Sequence, residues 1–296
     1  MNILDVLRTS LLDLLWELQD SGISMIIGGG YGIFLKTAYV NEHKTRTLLA
    51  ERPESRSTND LDLFLRPELL IQPGKLKPLS QAIDKLGYQV IETARKYQFV
   101  KPDPTGKGGV KIDFLTGPQS CFEGTTAKTD ERRVRPNPSV GLHAHPVNEV
   151  PTLEEGLFSL KLSGILSTGS SWECEVFLPH PYSFLMMKLF AFRDRLNDAS
   201  KEFSRYHALD LYSIISTTTE EEWDAFPAFR KRLGDESHVG EAGAIVEEYF
   251  SALNKTGILR MRESRYCRPD LQINEFMSIL KEAFPNPPAS LVDCCS

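Results

Sequence analysis

The stretch Arg56-Ser57-Thr58-Asn59-Asp60-Leu61-Asp62-Leu63-Phe64-Leu65 restricts this chain more than any other. Asp60 and Asp62 alternate with Leu61, Leu63 and Leu65, and a period of two is the signature of a strand with one buried face. Successive side chains on a strand point to opposite faces, so the two carboxylates emerge together, roughly 6–7 Å apart at Cα. Carboxylates that close repel each other, and a shared divalent cation is the usual relief. Such a strand puts its leucines in a core and its acids at the edge of a site.

Upstream, Met25-Ile26-Ile27-Gly28-Gly29-Gly30-Tyr31-Gly32-Ile33 reads as a short apolar strand, a glycine turn and the start of a helix. Glycines let backbone N–H groups approach a ligand with no Cβ in the way, and N–H groups at a helix start favour phosphate. Gly28 and Gly29 are the candidate phosphate-facing positions. Alone, an Asp-x-Asp or a glycine turn is most often structural. Their order, followed by a third carboxylate, shifts the reading toward chemistry on a nucleoside triphosphate. That third carboxylate is Asp113. Gln98-Phe99-Val100-Lys101 and Val110-Lys111-Ile112-Asp113-Phe114-Leu115 flank a Pro- and Gly-rich turn and spell a hairpin. In its second strand Asp113 shares a face with Lys111 and Leu115, opposite Val110, Ile112 and Phe114.

With 296 residues the chain has room for one large domain or two modest ones. Its 41% hydrophobic and 25% charged residues are those of a globular protein. No apolar run reaches the ~18 residues of a membrane span, and Met1-Asn2-Ile3-Leu4-Asp5 does not open like a signal peptide. No membrane partner is expected. Five cysteines without Cys-x-x-Cys spacing argue against a zinc site or a disulfide framework and for a reducing, cytoplasmic setting. A net charge of −6 does not advertise nucleic-acid binding, so contact with RNA would need a local basic patch. The run Arg260 to Arg268, with Tyr266 for stacking, is one such patch, although runs of this kind are more often solvated helix faces.

Along the chain, leucines at 4, 7, 11, 14, 15 and 18 predict an amphipathic helix over Ile3–Gln19. A polar, basic loop, or a helix end plus loop, is expected over residues 41–57, and Pro67, Pro73 and Pro78 read as a connection before a helix over Leu79–Leu86 and a strand over Tyr88–Glu92. No element is read in 116–150, and 153–166 reads as partly helical. A strand over Cys174–Leu178 stops at Pro179-His180-Pro181, the expected domain boundary. Helices follow over Tyr182–Arg195, Glu202–Ser216, 239–253 and 271–284, with a helix start signalled at Thr217 to Glu222. The Pro-rich tail carrying Cys294-Cys295 reads as a mobile end. The expected fold class is α/β (α+β), a mixed sheet flanked by helices in residues 1–179 and a helical domain in 180–296.

Two further residues interrupt apolar helix surfaces. Lys188 sits within Phe184-Leu185-Met186-Met187-Lys188-Leu189-Phe190, and Asp210 within Arg205-Tyr206-His207-Ala208-Leu209-Asp210-Leu211-Tyr212. Each by itself is better explained as a core-rim lysine or a paired surface acid. The ordered set Gly28-Gly29, Arg56-x-Thr58-x-Asp60-x-Asp62, Lys188-Leu189-x-Ala191 and Arg205-x-x-x-x-Asp210-Leu211-Tyr212 resembles the AbiEii/MenT-type nucleotidyltransferases. These are toxin halves of bacterial type IV toxin–antitoxin pairs, within the DNA polymerase β-like superfamily. The resemblance implies a polymerase β-like mixed sheet, with Asp60 and Asp62 as metal ligands. Lys188 would contact nucleotide phosphate, Asp210 would act as base or acceptor-orienting group, and Gly28, Gly29, Arg56 and Thr58 would serve the nucleotide. Asp113 joins the metal set from its strand pattern. Mg2+ (or Mn2+) would be the cofactor, a nucleoside triphosphate the donor, a tRNA end the acceptor and an antitoxin protein the partner. One departure stands out: Gly29-Gly30-Tyr31 follows Gly28, where the family usually has a small hydroxyl residue. Two alternatives stay open, transfer to a small-molecule or protein hydroxyl, and a nucleotide-binding regulator that transfers nothing.

Overall fold

The computed structural model describes residues 3–54, 56, 58–102, 109–199, 201–233 and 237–285. The turn expected across 103–108 and the tail with Cys294 and Cys295 lie outside them. The described chain divides into two units, Met1–Tyr39 with Arg56–His180, and Val40–Ser55 with Pro181–Ser296.

The first unit is organised by a mixed sheet. Its strands are β1 (Ile26–Ile27), β2 (Asp60–Leu65), β3 (Gln89–Val90), β4 (Gln98–Pro102) and β5 (Gly109–Thr116), while β6 (Lys128–Asp130) and β7 (Arg133–Arg135) form a separate ribbon. The sheet is completed by β8 (His145–Pro146), β9 (Phe158–Ile165) and β10 (Ser171–Leu178). The order is β3-β4-β5-β2-β1-β10-β9, with β8 joined to the end of β5. Strand β2 runs parallel to β5 and antiparallel to β1. The 98–115 hairpin is present as β4–β5.

Alternation decides which way each strand faces. Leu61, Leu63, Ile112 and Phe114 are fully buried, and the register sets Leu61 beside Ile112 and Leu63 beside Phe114. Helix α1 (Ile3–Leu18) packs across β9, β10, β2 and β5 with Leu7, Leu11 and Leu14 at zero exposure. Each such side chain contributes roughly 1.5–3 kcal/mol on burial. Asp13, also buried on α1, accepts a hydrogen bond from the Ser167 amide at 2.9 Å, which ties the helix to the β9–β10 turn.

Three expectations are corrected. The segment read as partly helical over 153–166 contains strand β9, whose Leu160 and Leu162 face inward while Ser159, Lys161 and Ser163 face out. Residues 116–150, read as featureless, contain β6, β7 and β8. Pro67 and Pro73 do not mark a bare connection: each is the first residue of a helix, α3 (Pro67–Ile71) and α4 (Pro73–Lys85), where the missing N–H leaves no bond unmade. Pro78 then falls in the second turn of α4, so that helix starts six residues earlier than expected. Of the two readings of the 41–57 stretch, the helix end plus loop is the one found in its described residues. Helix α2 (Gly29–His43) ends in them, and the rest is fastened to the second unit.

That unit is helical: α5 (Pro181–Asp194), α6 (Glu202–Thr217), α7 (Glu220–Asp224), α8 (Phe226–Leu233), α9 (Ser237–Tyr249), α10 (Thr256–Arg262) and α11 (Ile273–Ala283). Its core is aromatic, with Tyr182 against Phe226, Phe229 and Phe284, and Phe192 against Phe250. The 40–55 segment is held by long-range bonds. Tyr212 Oη donates to the Glu51 carbonyl at 3.2 Å and accepts from the Gln272 amide at 2.9 Å, and Arg52 Nε donates to the Ser216 carbonyl at 3.2 Å. Among the described residues no helix is long and apolar enough to cross a membrane.

Candidate active site

Strand parity brings the predicted carboxylates together in the first unit. Asp62 and Asp113 are direct partners across the parallel β2–β5 pair, and Asp60 precedes Asp62 by two residues on the same face. Neighbouring strands lie ~4.8 Å apart, so all three acids start within side-chain reach of one another. Their environments differ. Asp60 Oδ1 accepts from the Thr58 hydroxyl at 3.1 Å and from the Asn59 amide at 3.2 Å. Asp113 Oδ2 accepts from Gln98 Nε2 at 2.9 Å, while its Oδ1 is buried with no hydrogen-bond partner. Burial, then the Asp62 charge, push the Asp113 pKa up to about 7, with Asp60 adding to the same effect and Gln98 and Lys111 opposing it.

The glycine turn is explained by what packs against it. A Cβ on Gly28 would overlap the Phe64 ring, one on Gly29 would overlap Asp62 Oδ2, and one on Gly30 would come within 2.6 Å of Arg56 Nη2. Gly29 also has φ +59°, a conformation that only glycine adopts without strain. The Gly28 amide donates to the Asp62 carbonyl at 2.8 Å. The turn is therefore built onto the aspartate strand, with the start of α2 beside the Asp62 carboxylate, where the positive end of the helix dipole favours an anion.

Among the described residues, no three His, Cys, Asp or Glu side chains converge as they stand to ligate one ion. The site nevertheless fits a divalent cation in its chemistry. A buried, partnerless carboxylate oxygen beside two further carboxylates is an electrostatic deficit that a bound cation would relieve. The donors are all oxygens, which suits magnesium or manganese.

Lys188 and Asp210 belong to the second unit. They meet across α5 and α6, with Lys188 Nζ 2.8 Å from Asp210 Oδ2 and residue exposures of 6% and 3%. A buried pair of this kind is stable only because each charge satisfies the other. The basic run at 260–268 is spoken for: Arg260 pairs with Glu263 at 2.8 Å, and Arg268 reaches Glu51 at 3.2 Å and also Asp270. Those contacts make it a set of local ion pairs.

Two residues at the site escaped the sequence reading. Gln98 supports Asp113 from β4, and Lys111 stands in register with Asp60. The signal for Gln98 was the hairpin register, which sets it opposite Asp113, whereas Lys111 meets Asp60 across the parallel β2–β5 pair.

No family model matches the chain, and no curated protein matches it. Among solved structures it is similar to the antibiotic-resistance factor ANT(2'')-Ia, with a TM-score of 0.36 and 14% identity over 79% of this chain and 98% of that one. A likeness of that size says nothing about activity.

Proposed function

We propose that the chain is a metal-dependent nucleotidyltransferase of the polymerase β-like kind. It would move a nucleoside monophosphate from a nucleoside triphosphate to an acceptor hydroxyl. The observation that carries this reading is the in-register pairing of Asp62 with Asp113 beside Asp60, with one Asp113 oxygen buried and unpartnered. Asp60, Asp62 and Asp113 would hold Mg2+ (or Mn2+), which supplies positive charge for a displacement at phosphorus. Thr58 and Asn59 fix the orientation of Asp60, and Gln98 fixes that of Asp113. Of the two expected phosphate-facing glycines, Gly28 has its N–H committed to the Asp62 carbonyl, so the triphosphate would approach the main-chain N–H of Gly29. Asp113 gives up its proton near neutral pH, so cation binding and its ionisation are coupled.

The finer reading is that this is the toxin of a toxin–antitoxin pair acting on a tRNA end, with Lys188 contacting nucleotide phosphate and Asp210 acting as base or acceptor-orienting group. It rests on the order of the four motifs alone. Purified protein incubated with Mg2+, each α-labelled triphosphate and total tRNA tests both levels. Label on RNA, lost in Asp62→Asn, supports the whole reading. Label only on a small acceptor or on protein keeps nucleotidyl transfer and removes the RNA acceptor. Nucleotide binding without transfer to any acceptor overturns the enzymatic reading.

A further inference from the structure

The first unit carries a second concentration of charge, of opposite sign, in a pocket of about 540 Å³. Its walls include Arg95, Lys96, Lys128, Arg133, Arg135 and His143. For a chain with net charge −6 this is a local inversion. Arg133 is neutralised by Asp130 at 2.9 Å, but among the described residues Arg95, Lys96, Lys128 and Arg135 make no ion pair.

Three observations show that the arrangement is held in place against its own repulsion. Lys128 and Arg135 are direct partners in the β6–β7 ribbon, and like charges directly opposite destabilise a strand pair. Arg135 Nε is buried and has no hydrogen-bond partner, an unmet donor on a guanidinium shaped for oxyanions. Arg95 and Lys96 are consecutive non-glycine residues at φ +49° and +71°, a strained conformation that persists where surrounding structure enforces it. Here the enforcing residue is His143, 6% exposed, whose amide donates to the Lys96 carbonyl at 2.9 Å and whose Nδ1 lies 2.9 Å from the Arg95 carbonyl. With Nδ1–H donating, one buried imidazole residue fixes both strained positions. Burial lowers the pKa of this histidine, the hydrogen bond to the Arg95 carbonyl opposes that, and the neighbouring Arg133, Lys96 and Arg135 charges lower it further.

We infer that this pocket binds consecutive phosphates of an RNA strand. Cations outnumber the one carboxylate in the lining, that of Glu92. Arg133 and Arg135 stand on the same side of β7, about 6.8 Å apart along the strand, and with Arg133 held by Asp130 the charges open to successive phosphates are those of Arg135, Lys128, Arg95 and Lys96. Lys128, Arg95 and Lys96 are exposed and extend the positive track beyond the pocket. A chain of linked phosphates fits this layout better than one compact anion, and its binding would supply the counter-charge that Lys128 and Arg135 lack.

The inference stands apart from nucleotidyl transfer and is tested without nucleotide or divalent metal. Anisotropy of a labelled single-stranded RNA 12-mer is followed on the full chain against salt. The expected result is binding that weakens with salt, falls roughly tenfold or more in Arg95→Glu/Lys128→Glu, and loses about 1.4 from its log–log salt slope as two phosphate contacts go. Lys161→Glu, an exposed charge on β9, should bind as the unaltered chain does. Far-UV circular dichroism checks folding, and Arg135→Gln gives an independent weakening. Unchanged RNA binding in the double variant overturns the inference. So does displacement of RNA by poly-glutamate as readily as by unlabelled RNA.

Discussion

The carboxylate of Asp62 occupies the space that a side chain on Gly29 would need. Gly29→Ala therefore meets two penalties at once, a backbone at φ +59° and an overlap with Asp62 Oδ2. The first costs about 1–2 kcal/mol and the second about 1–3 kcal/mol. Urea unfolding should show a loss of roughly 2–5 kcal/mol. Gly74→Ala, in α4 with nothing within 4 Å of the new Cβ, should be neutral or stabilising by up to about 1 kcal/mol.

Asp113 sets a pH dependence of unusual sign for an acid. Its folded pKa of about 7 lies above its unfolded value of 3.8, so between those values the native state binds the extra proton. Stability from this group is complete below pH ~4, falls as pH rises toward 7, and is lower by at most about 4 kcal/mol above that. In EDTA, Asp113→Asn should leave Tm unchanged at pH 4 and raise it at pH 8. Mg2+ should raise the Tm of the unaltered chain more at pH 8 than at pH 5.5, and that difference should vanish in Asp113→Asn. A Tm gain that is equal at both pH values would show that the carboxylate is ordinary.

Lys188 and Asp210 separate a structural role from a chemical one. Lys188→Met or Asp210→Leu alone strands a buried charge and should cost about 3–5 kcal/mol, whereas the double variant should recover most of it. If the pair also serves nucleotide, the double variant folds with near-normal Tm and transfers nothing. Normal transfer by that variant would make the pair purely structural.

Thr219 caps α7 in a reciprocal arrangement, accepting from the Glu222 amide at 3.2 Å while Glu222 Oε2 accepts from the Thr219 amide at 2.9 Å. Thr219→Ala should lower stability by about 1 kcal/mol in denaturant titration, and Thr219→Ser should keep most of it.

Local patterns made much of this architecture legible. The alternation through Asp60–Leu65 and Val110–Leu115 dictated which side chains share a face, and that is how Asp113 could be grouped with Asp60 and Asp62 from sequence. The same rule was available at Ser159-Leu160-Lys161-Leu162-Ser163, where the alternation of β9 went unused in favour of a helix. Other features had no local signature. That Gly29 is required by the Asp62 side chain depends on a contact 33 positions away, and the Lys188–Asp210 pair on how two helices cross. The clustering of Arg95, Lys96, Lys128, Arg133 and Arg135 is assembled from three stretches, none of which is a basic run long enough to be noticed.

The bonds from residues 50–52 to Tyr212, Ser216 and Gln272 also bear on how the chain is made. At a synthesis rate of 5–20 residues per second, residue 51 leaves the ribosome roughly 8–32 s before Tyr212, the first of these partners. Through that interval the segment has no anchor, while the sheet residues on either side of it are free to settle. A chain begun at residue 180 would lack the segment altogether, and Tyr212 Oη, Arg268 and the Gln272 side chain would each lose a partner.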